Sequence, residues 1–404
     1  MNDFSINTGA HTMSDTIEHE DPHLLSSDVE VHKAFKVSRG EKILAVALFT
    51  IYVLTFFFYP HPLLLIITTM AFALWLTFRA SHFAVDGLES LGAFVGLSAY
   101  FIGVLSSLAS NTPEAVVSAL TAWRGIVLAN PELIEIAVLS VVMAAGFNIL
   151  LLGCVVVISS RKTGMVDVPR EVVEDDADLI RWTIIAMVLL VAFGILHYIN
   201  QLINGATVTL SHLPQLAGFM MVISYILYAI YSIKKKPTTK RVKPQPTHSK
   251  RTSILLAVVG FVGIFIAGHL LTNAVELTFE FVPWTLLGIE ELQRIVIMAL
   301  IIGAAGALPE HGIAIIAAGK GKANIAIGNT LGGTTQVLLL IVGIVSIFLP
   351  LPLDAEVLLQ FATAAGSLWF LKRAMTDDRK VDIFEGAMIL LMQIFVFIIV
   401  LTPI

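Results

Sequence analysis

Glu114 and Glu310 each sit well inside an apolar stretch, and each directly follows a proline, Pro113 or Pro309. A carboxylate at the centre of a bilayer costs roughly 2.5–3.5 kcal/mol on insertion scales, so an acid within a span is a functional-site candidate by default. Proline removes a backbone hydrogen bond and clashes with the preceding turn. Each span is therefore expected to break there and to free carbonyl oxygens beside the carboxylate. Amides are at hand in Asn111 and Asn148 in the first half of the chain and Gln336 in the second, and the hydroxyl of Ser110 adjoins Asn111. Small residues around both motifs, Ala109-Ser110-Asn111 and Gly303 to Ala307, permit close helix approach. Two carboxylates with amide and carbonyl oxygens make a hard-oxygen site suited to Ca2+ or a similar cation. When such a site is empty, desolvation and mutual repulsion both favour the protonated carboxyl. Proton and divalent cation then compete for the same oxygens, which is the physical basis of exchange. Read structurally instead, the prolines kink their helices and the polar side chains bond neighbouring helices.

A second set of polar residues recurs at helical spacing. His82, Asp86 and Glu89 can share one helix face, and His269, Asn273 and Glu276 another. They are candidates for a proton relay or gate, with interhelical bonding near an interface as the structural alternative. His311, beside Glu310, is a further relay candidate.

The elements that must position these groups follow from composition. The chain has 404 residues, 57% hydrophobic and only 14% charged, with mean hydropathy +0.87. Water-soluble domains carry about 25% charged residues, so the deficit argues against a water-soluble enzyme. The net charge of −5 gives no basic bias for nucleic acid, and the lone Cys154 allows no disulfide within the chain. Reading for apolar runs of about 20 residues gives eleven spans: 41–59, 63–91, 95–123, 132–158, 179–202, 213–233, 254–282, 292–318, 323–349, 353–371 and 381–401. Continuous runs predict helices rather than barrel strands. The expected organisation is a polar tail over 1–40, which does not resemble a signal peptide, and an extra helix over 41–60. A first five-helix half then occupies 61–233, a basic linker 234–251 and a second five-helix half 252–404. That linker holds eight Lys or Arg and three prolines. The acidic run from Glu171 to Asp178 reads as a solvated loop. Lys33, Lys36, Arg39 and Lys42 precede the first span, so the positive-inside rule puts the N-terminus in the cytoplasm and, after eleven crossings, the C-terminus outside. Arg124 is the one cation on the other side.

The chain also repeats itself. His82, Asp86 and Glu89 are echoed by His269, Asn273 and Glu276, and Asn111-Thr112-Pro113-Glu114 by Ala307-Leu308-Pro309-Glu310. A cation and a glycine follow each motif, Arg124-Gly125 and Lys320-Gly321, and Phe147 to Gly153 is loosely matched by Gln336 to Gly343. The copies are offset by five spans, and an odd offset forces opposite orientations in the bilayer. Inverted-topology repeats around a midplane site are the mark of secondary transporters working by alternating access.

Ser110 to Glu114, Leu308 to Glu310, Gly328-Asn329 and Phe147 to Leu151 resemble the two α-repeats of the calcium/cation antiporter superfamily. The resemblance implies an all-α membrane protein with one extra N-terminal helix before two inverted five-helix repeats. It also implies that Glu114 and Glu310 ligate Ca2+ and take up protons, supported by Asn111, Asn148 and Gln336. Glu310-His311 and Thr334-Thr335-Gln336 look more like the cation/proton exchangers than the sodium/calcium exchangers. Gly306 and Ala307 stand where the sodium-coupled branch usually has hydroxyls. The proline before each glutamate leans towards that sodium-coupled branch, and the basic linker departs from the acidic stretch common in the proton-coupled one. The expectation is an antiporter exchanging Ca2+ for H+, with Na+ as the alternative counter-ion. Ca2+ is cargo and no cofactor is expected. A cell-membrane location follows, with the lipid bilayer as surroundings and neither monomer nor homodimer singled out. Enzymes are disfavoured. The only His-Glu-x-x-His, His19 to His23, contains Pro22 and lies in the polar tail, and no Gly-x-Ser-x-Gly elbow occurs. A cation channel could use the same glutamates, but an inverted repeat with one internal site argues against a pore ring.

Overall fold

In lipid, a segment must satisfy its own backbone groups, and each apolar run does so as a helix. The structure is a computed structural model. It describes residues 31–402 except 32–33, 60, 98, 162, 169, 205–211, 235–244, 320–322 and 378. At 99–101, 103–104, 170–177, 232–234, 308–313, 316–317, 323–325 and 329 it describes the backbone alone. The tail motif His19 to His23 lies outside the described residues.

Eleven helical segments follow in order: α1 (Arg39–Phe58), α2 (Pro62–Val95), α3 (Ala99–Val127), α4 (Pro131–Ser160), α5 (Arg170–Ile203), α6 (Gln215–Lys234), α7 (Lys250–Phe281), α8 (Glu291–Gly319), α9 (Ala323–Gln336) continued through a π turn (Val337–Ile341) into α10 (Val342–Phe348), α11 (Ala355–Asp377) and α12 (Ile383–Leu401). Their ends carry recognisable stops. Ser38, Asn130 and Ser249 cap α1, α4 and α7, Gly96 ends α2 in the left-handed conformation, and Asp382 forms a capping box with Glu385 on α12. Seven of the described helical segments are long and apolar enough to cross a membrane. The chain is an integral multi-pass membrane protein.

Two expectations need correction. The acidic run is not a loop, because α5 starts at Arg170 and runs through it. Neither proline breaks its span; α3 continues through Pro113 and α8 through Pro309. A proline costs its helix one amide donor, but the bonds on either side hold the segment together. The Ala109 carbonyl still loses its amide partner, since Pro113 has no N–H to give. The fold also includes a pair of three-residue strands, β1 (Met165–Asp167) and β2 (Lys380–Asp382), which pair antiparallel. They tie the α4–α5 loop to the α11–α12 loop. At the other end, the Leu213 N–H donates to the Leu351 carbonyl at 2.9 Å and joins the α5–α6 and α10–α11 loops.

Packing depends on small residues. Helices α2 and α7 lie backbone to backbone. A Cβ added at Gly87 would stand 2.5 Å from the Ala257 nitrogen, and one at Gly260 2.4 Å from the Ala84 nitrogen. Helix α4 runs through the centre, with 72% of its most apolar window buried against 6% for α1, which packs on α2 through a Tyr52–Phe72 stack. One face of α4 meets a buried amide pair, Gln360 of α11 and Gln393 of α12, which exchange hydrogen bonds at 3.3 and 3.2 Å.

Candidate cation site

Glu114 is 3% exposed, on the face of α3 that meets α8. The crossing is very close. A Cβ added at Gly306 would lie 2.6 Å from Glu114 Cγ and 3.0 Å from its Cα. One turn earlier on α8, a Cβ at Gly303 would meet the Ser140 carbonyl at 2.8 Å and the Ala144 nitrogen at 2.9 Å. Asn148 lies four residues beyond Ala144, hence on the same face of α4. Residue 310 lies on the stripe of α8 defined by Gly303 and Gly306, one turn beyond the crossing. Its side chain and that of His311 lie outside the described residues.

The first half of the chain and the second join directly at this point. Asn111 Nδ2 donates to Gln336 Oε1 at 2.9 Å, and Ser107 Oγ donates to the same oxygen at 2.9 Å. Gln336 Nε2 donates in turn to the Tyr225 hydroxyl of α6 at 2.6 Å. Gln336 is the last residue before the π turn; such turns occur often at functional sites. Asn111 is 1% exposed and Asn148 0%. Among the described residues, Asn111 Oδ1 and both amide atoms of Asn148 have no hydrogen-bond partner. Buried amides are normally satisfied, so such atoms call for a ligand or an ion. With the Glu114 carboxylate and the Ala109 carbonyl left by Pro113, the two amide oxygens, Asn111 Oδ1 and Asn148 Oδ1, are hard oxygen donors.

Sequence reasoning assigned these residues unevenly. Asn111, Gln336 and Glu114 fall in one neighbourhood. Ser110 turns its hydroxyl back onto the Ser107 carbonyl at 2.9 Å, while Ser107, unassigned from sequence, reaches Gln336. Tyr225 was also missed, because it lies on a helix outside both motifs and nothing local marks it.

The relay candidates have other partners. Glu276 forms an ion pair with Arg124 at 2.8 Å, which gives the cation that departs from the expected loop-charge pattern an anionic neighbour. Glu89 accepts a hydrogen bond from Ser106. His82 sits edge-on to Phe78 at 4.8 Å and close to Asp86, which also faces His248 and Arg79. His269 is exposed. These groups mark the ends of α2 and α7, while the amide cluster lies between α3, α6 and α9.

A helical membrane protein with buried carboxylate and amide oxygens at the junction of its two halves is built as a secondary transporter of cations rather than as an enzyme. The chain matches the model of the sodium/calcium exchanger protein family over residues 63–234 and 252–402, and it belongs to that family. Comparison with curated proteins finds no match. Among solved structures, the H+/Ca2+ exchanger CAX superposes with TM-score 0.64 at 17% identity, over 90% of this chain and 92% of that one. Native YfkE gives 0.63 at 18%, over 90% and 99%. The sodium-calcium exchanger NCX_Mj gives 0.53 at 18%, over 87% and 97%. The family is one of calcium/cation exchangers that transport Ca2+ as substrate.

Proposed function

We propose that the protein exchanges Ca2+ for H+ across a membrane by alternating access, with Glu114 and Glu310 as the groups that bind either the cation or protons. The observation that carries this reading is the meeting of the two halves at a buried oxygen cluster. Glu114 lies against Gly306, and the Asn111–Gln336 bond joins α3 to α9 beside it. Ca2+ favours such a set of carboxylate and carbonyl oxygens, and a desolvated carboxylate that loses its cation favours a proton in its place. Counter-transport follows when the site crosses only in one of these two loaded forms.

H+ as the counter-ion is supported by Gly306 and Ala307, which offer no hydroxyl oxygens for separate Na+ sites, and by CAX, an H+/Ca2+ exchanger, among the similar folds. Na+ coupling, the second reading, is favoured by the proline before each glutamate. The inverted repeat of 61–233 and 252–404 supplies the two access states, and the basic loops support a cytoplasmic N-terminus in the cell membrane. The test is Ca2+ uptake into liposomes holding the purified protein, driven by a pH gradient and separately by a Na+ gradient. The expected result is uptake with the pH gradient alone. Uptake with the Na+ gradient alone would move the protein to sodium coupling, and downhill Ca2+ flux without either gradient would make it a channel.

A further inference from the structure

The amide of Gln336 has two chemically opposite ends, and the structure fixes which one faces which neighbour. Nε2 points to the Tyr225 hydroxyl and Oε1 to Asn111 Nδ2 and Ser107 Oγ. Because Asn111 spends its N–H on Gln336, its Oδ1 is the end left over. It is buried and has no hydrogen-bond partner among the described residues. Reversing Gln336 would reverse the whole chain. Nε2 would then face Asn111, Asn111 would turn its oxygen to receive it, and an N–H would be left over instead. The present polarity uses only a lone pair of the phenol oxygen and leaves its O–H for another acceptor, whereas the reversed polarity would spend that O–H on Gln336 Oε1. The two polarities also differ in what reaches the cation, because an oxygen attracts it and an N–H repels it.

Tyr225 itself is held firmly. Helix α6 packs on α10 through two glycines, and a Cβ at Gly343 would meet Val222 at 2.9 Å and the Gly218 carbonyl at 3.1 Å. Tyr225 lies seven residues after Gly218, on the same face of α6, and is 7% exposed.

We infer that Tyr225 is a positioning residue: by accepting from Gln336 Nε2 it sets the polarity of the Gln336–Asn111 pair, so that Asn111 presents an oxygen to the transported cation. The inference rests on the functional reading above and adds to it a residue outside both motif helices. No covalent bond changes; the two states differ by rotation of two amides and one hydroxyl.

The test is Tyr225→Phe, which keeps the ring and removes the hydroxyl. Ca2+ binding by radiolabelled equilibrium measurement and Ca2+ uptake in liposomes are compared with wild type, together with the thermal midpoint in detergent. Losing one hydrogen bond predicts a Ca2+ Kd and KM higher by about five- to tenfold, with maximal rate unchanged and a thermal midpoint lowered by no more than the loss of that one bond. In a Gln336→Glu background both ends of the side chain are oxygen and there is no polarity to set, so Tyr225→Phe should leave Kd unaltered there. Unchanged Kd in the first background, an equal rise in both, or a fall in maximal rate and thermal midpoint with constant Kd would each overturn the inference. Absence of Ca2+ binding and uptake by the wild type would overturn the functional reading instead.

Discussion

The close crossing at Glu114 makes Gly306→Ala the most informative single substitution. The added Cβ would lie 2.6 Å from Glu114 Cγ, 3.2 Å from its Cβ and 3.0 Å from its Cα. Carbon atoms are most favourably spaced at about 3.5–4.0 Å, so the shortfall is about 1 Å. Two relaxations are open. The helices can part, or the Glu114 side chain can swing to another rotamer, and both move the carboxylate relative to the amide oxygens. Overpacking of this kind costs about 1–3 kcal/mol. If the strain falls on the ligand geometry, Ca2+ affinity drops by about 5- to 150-fold. No charge and no polar atom is altered, so a loss reports position alone. The assay is the Ca2+ concentration dependence of gradient-driven uptake in liposomes, with direct binding in detergent. Gly366→Ala serves as the neutral control, since nothing lies within 4 Å of its Cβ position. Gly303→Ala serves as the packing control, since it meets the α4 backbone rather than a carboxylate. It should lower thermal stability more than it shifts KM. A Gly306→Ala protein with wild-type Kd and KM would refute the argument, for then either Glu114 is no ligand or the two helices do not cross there.

Other outcomes are expected from the same structure. Glu114→Gln and Glu310→Gln should each abolish exchange while the protein still inserts and elutes as a folded species; normal transport in both would sink the site assignment. Gly146→Ala would bring a Cβ to 2.6 Å from Gln360 Nε2 and 2.7 Å from Gln393 Nε2. It should cost about 1–3 kcal/mol of stability with little change in Ca2+ Kd, which a thermal midpoint and a binding curve would separate. Asp354 caps α11 by accepting from the Val357 N–H at 2.8 Å; burial, aided by the nearby Glu356 and Glu135, pushes it from 3.8 up to about 7. Between those values the folded chain keeps a proton that the unfolded chain has shed. The stability this gives is whole below pH 3.8 and is lost as pH rises through about 7. Asp354→Asn remains neutral and still caps, so its thermal midpoint should stay flat across that window while the wild type declines. Parallel curves would show that Asp354 titrates elsewhere.

Much of this protein can be read along the chain. The length of apolar runs and their charged borders place the eleven helical segments to within a few residues, except at the start of α5 and the end of α11, because a bilayer forces each run into a helix whatever it packs against. The same constraint marks Glu114 and Glu310: a carboxylate in an apolar run stands out without any knowledge of the fold. Asn111 and Gln336 could be named for similar reasons. The acidic segment at the start of α5 misled because charge density signals solvent but not backbone conformation, and a solvated helix end tolerates acids, which its N-terminal dipole favours.

What the tertiary structure alone decides is who meets whom. Ser107 and Ser110 are indistinguishable by type, yet one reaches Gln336 and the other bonds its own helix. Tyr225 comes to Gln336 from 111 positions away, and Gly306 matters because of the glutamate opposite it rather than its own conformation. Arg124, an exception to the charge rule along the sequence, has its counter-charge 152 residues on. Spans and intramembrane charges are set by the solvent, which acts on each segment separately. Partners are set by the packing of small residues between helices, where a few tenths of an ångström at a glycine determine which polar atoms meet, and that geometry belongs to pairs of segments rather than to either one.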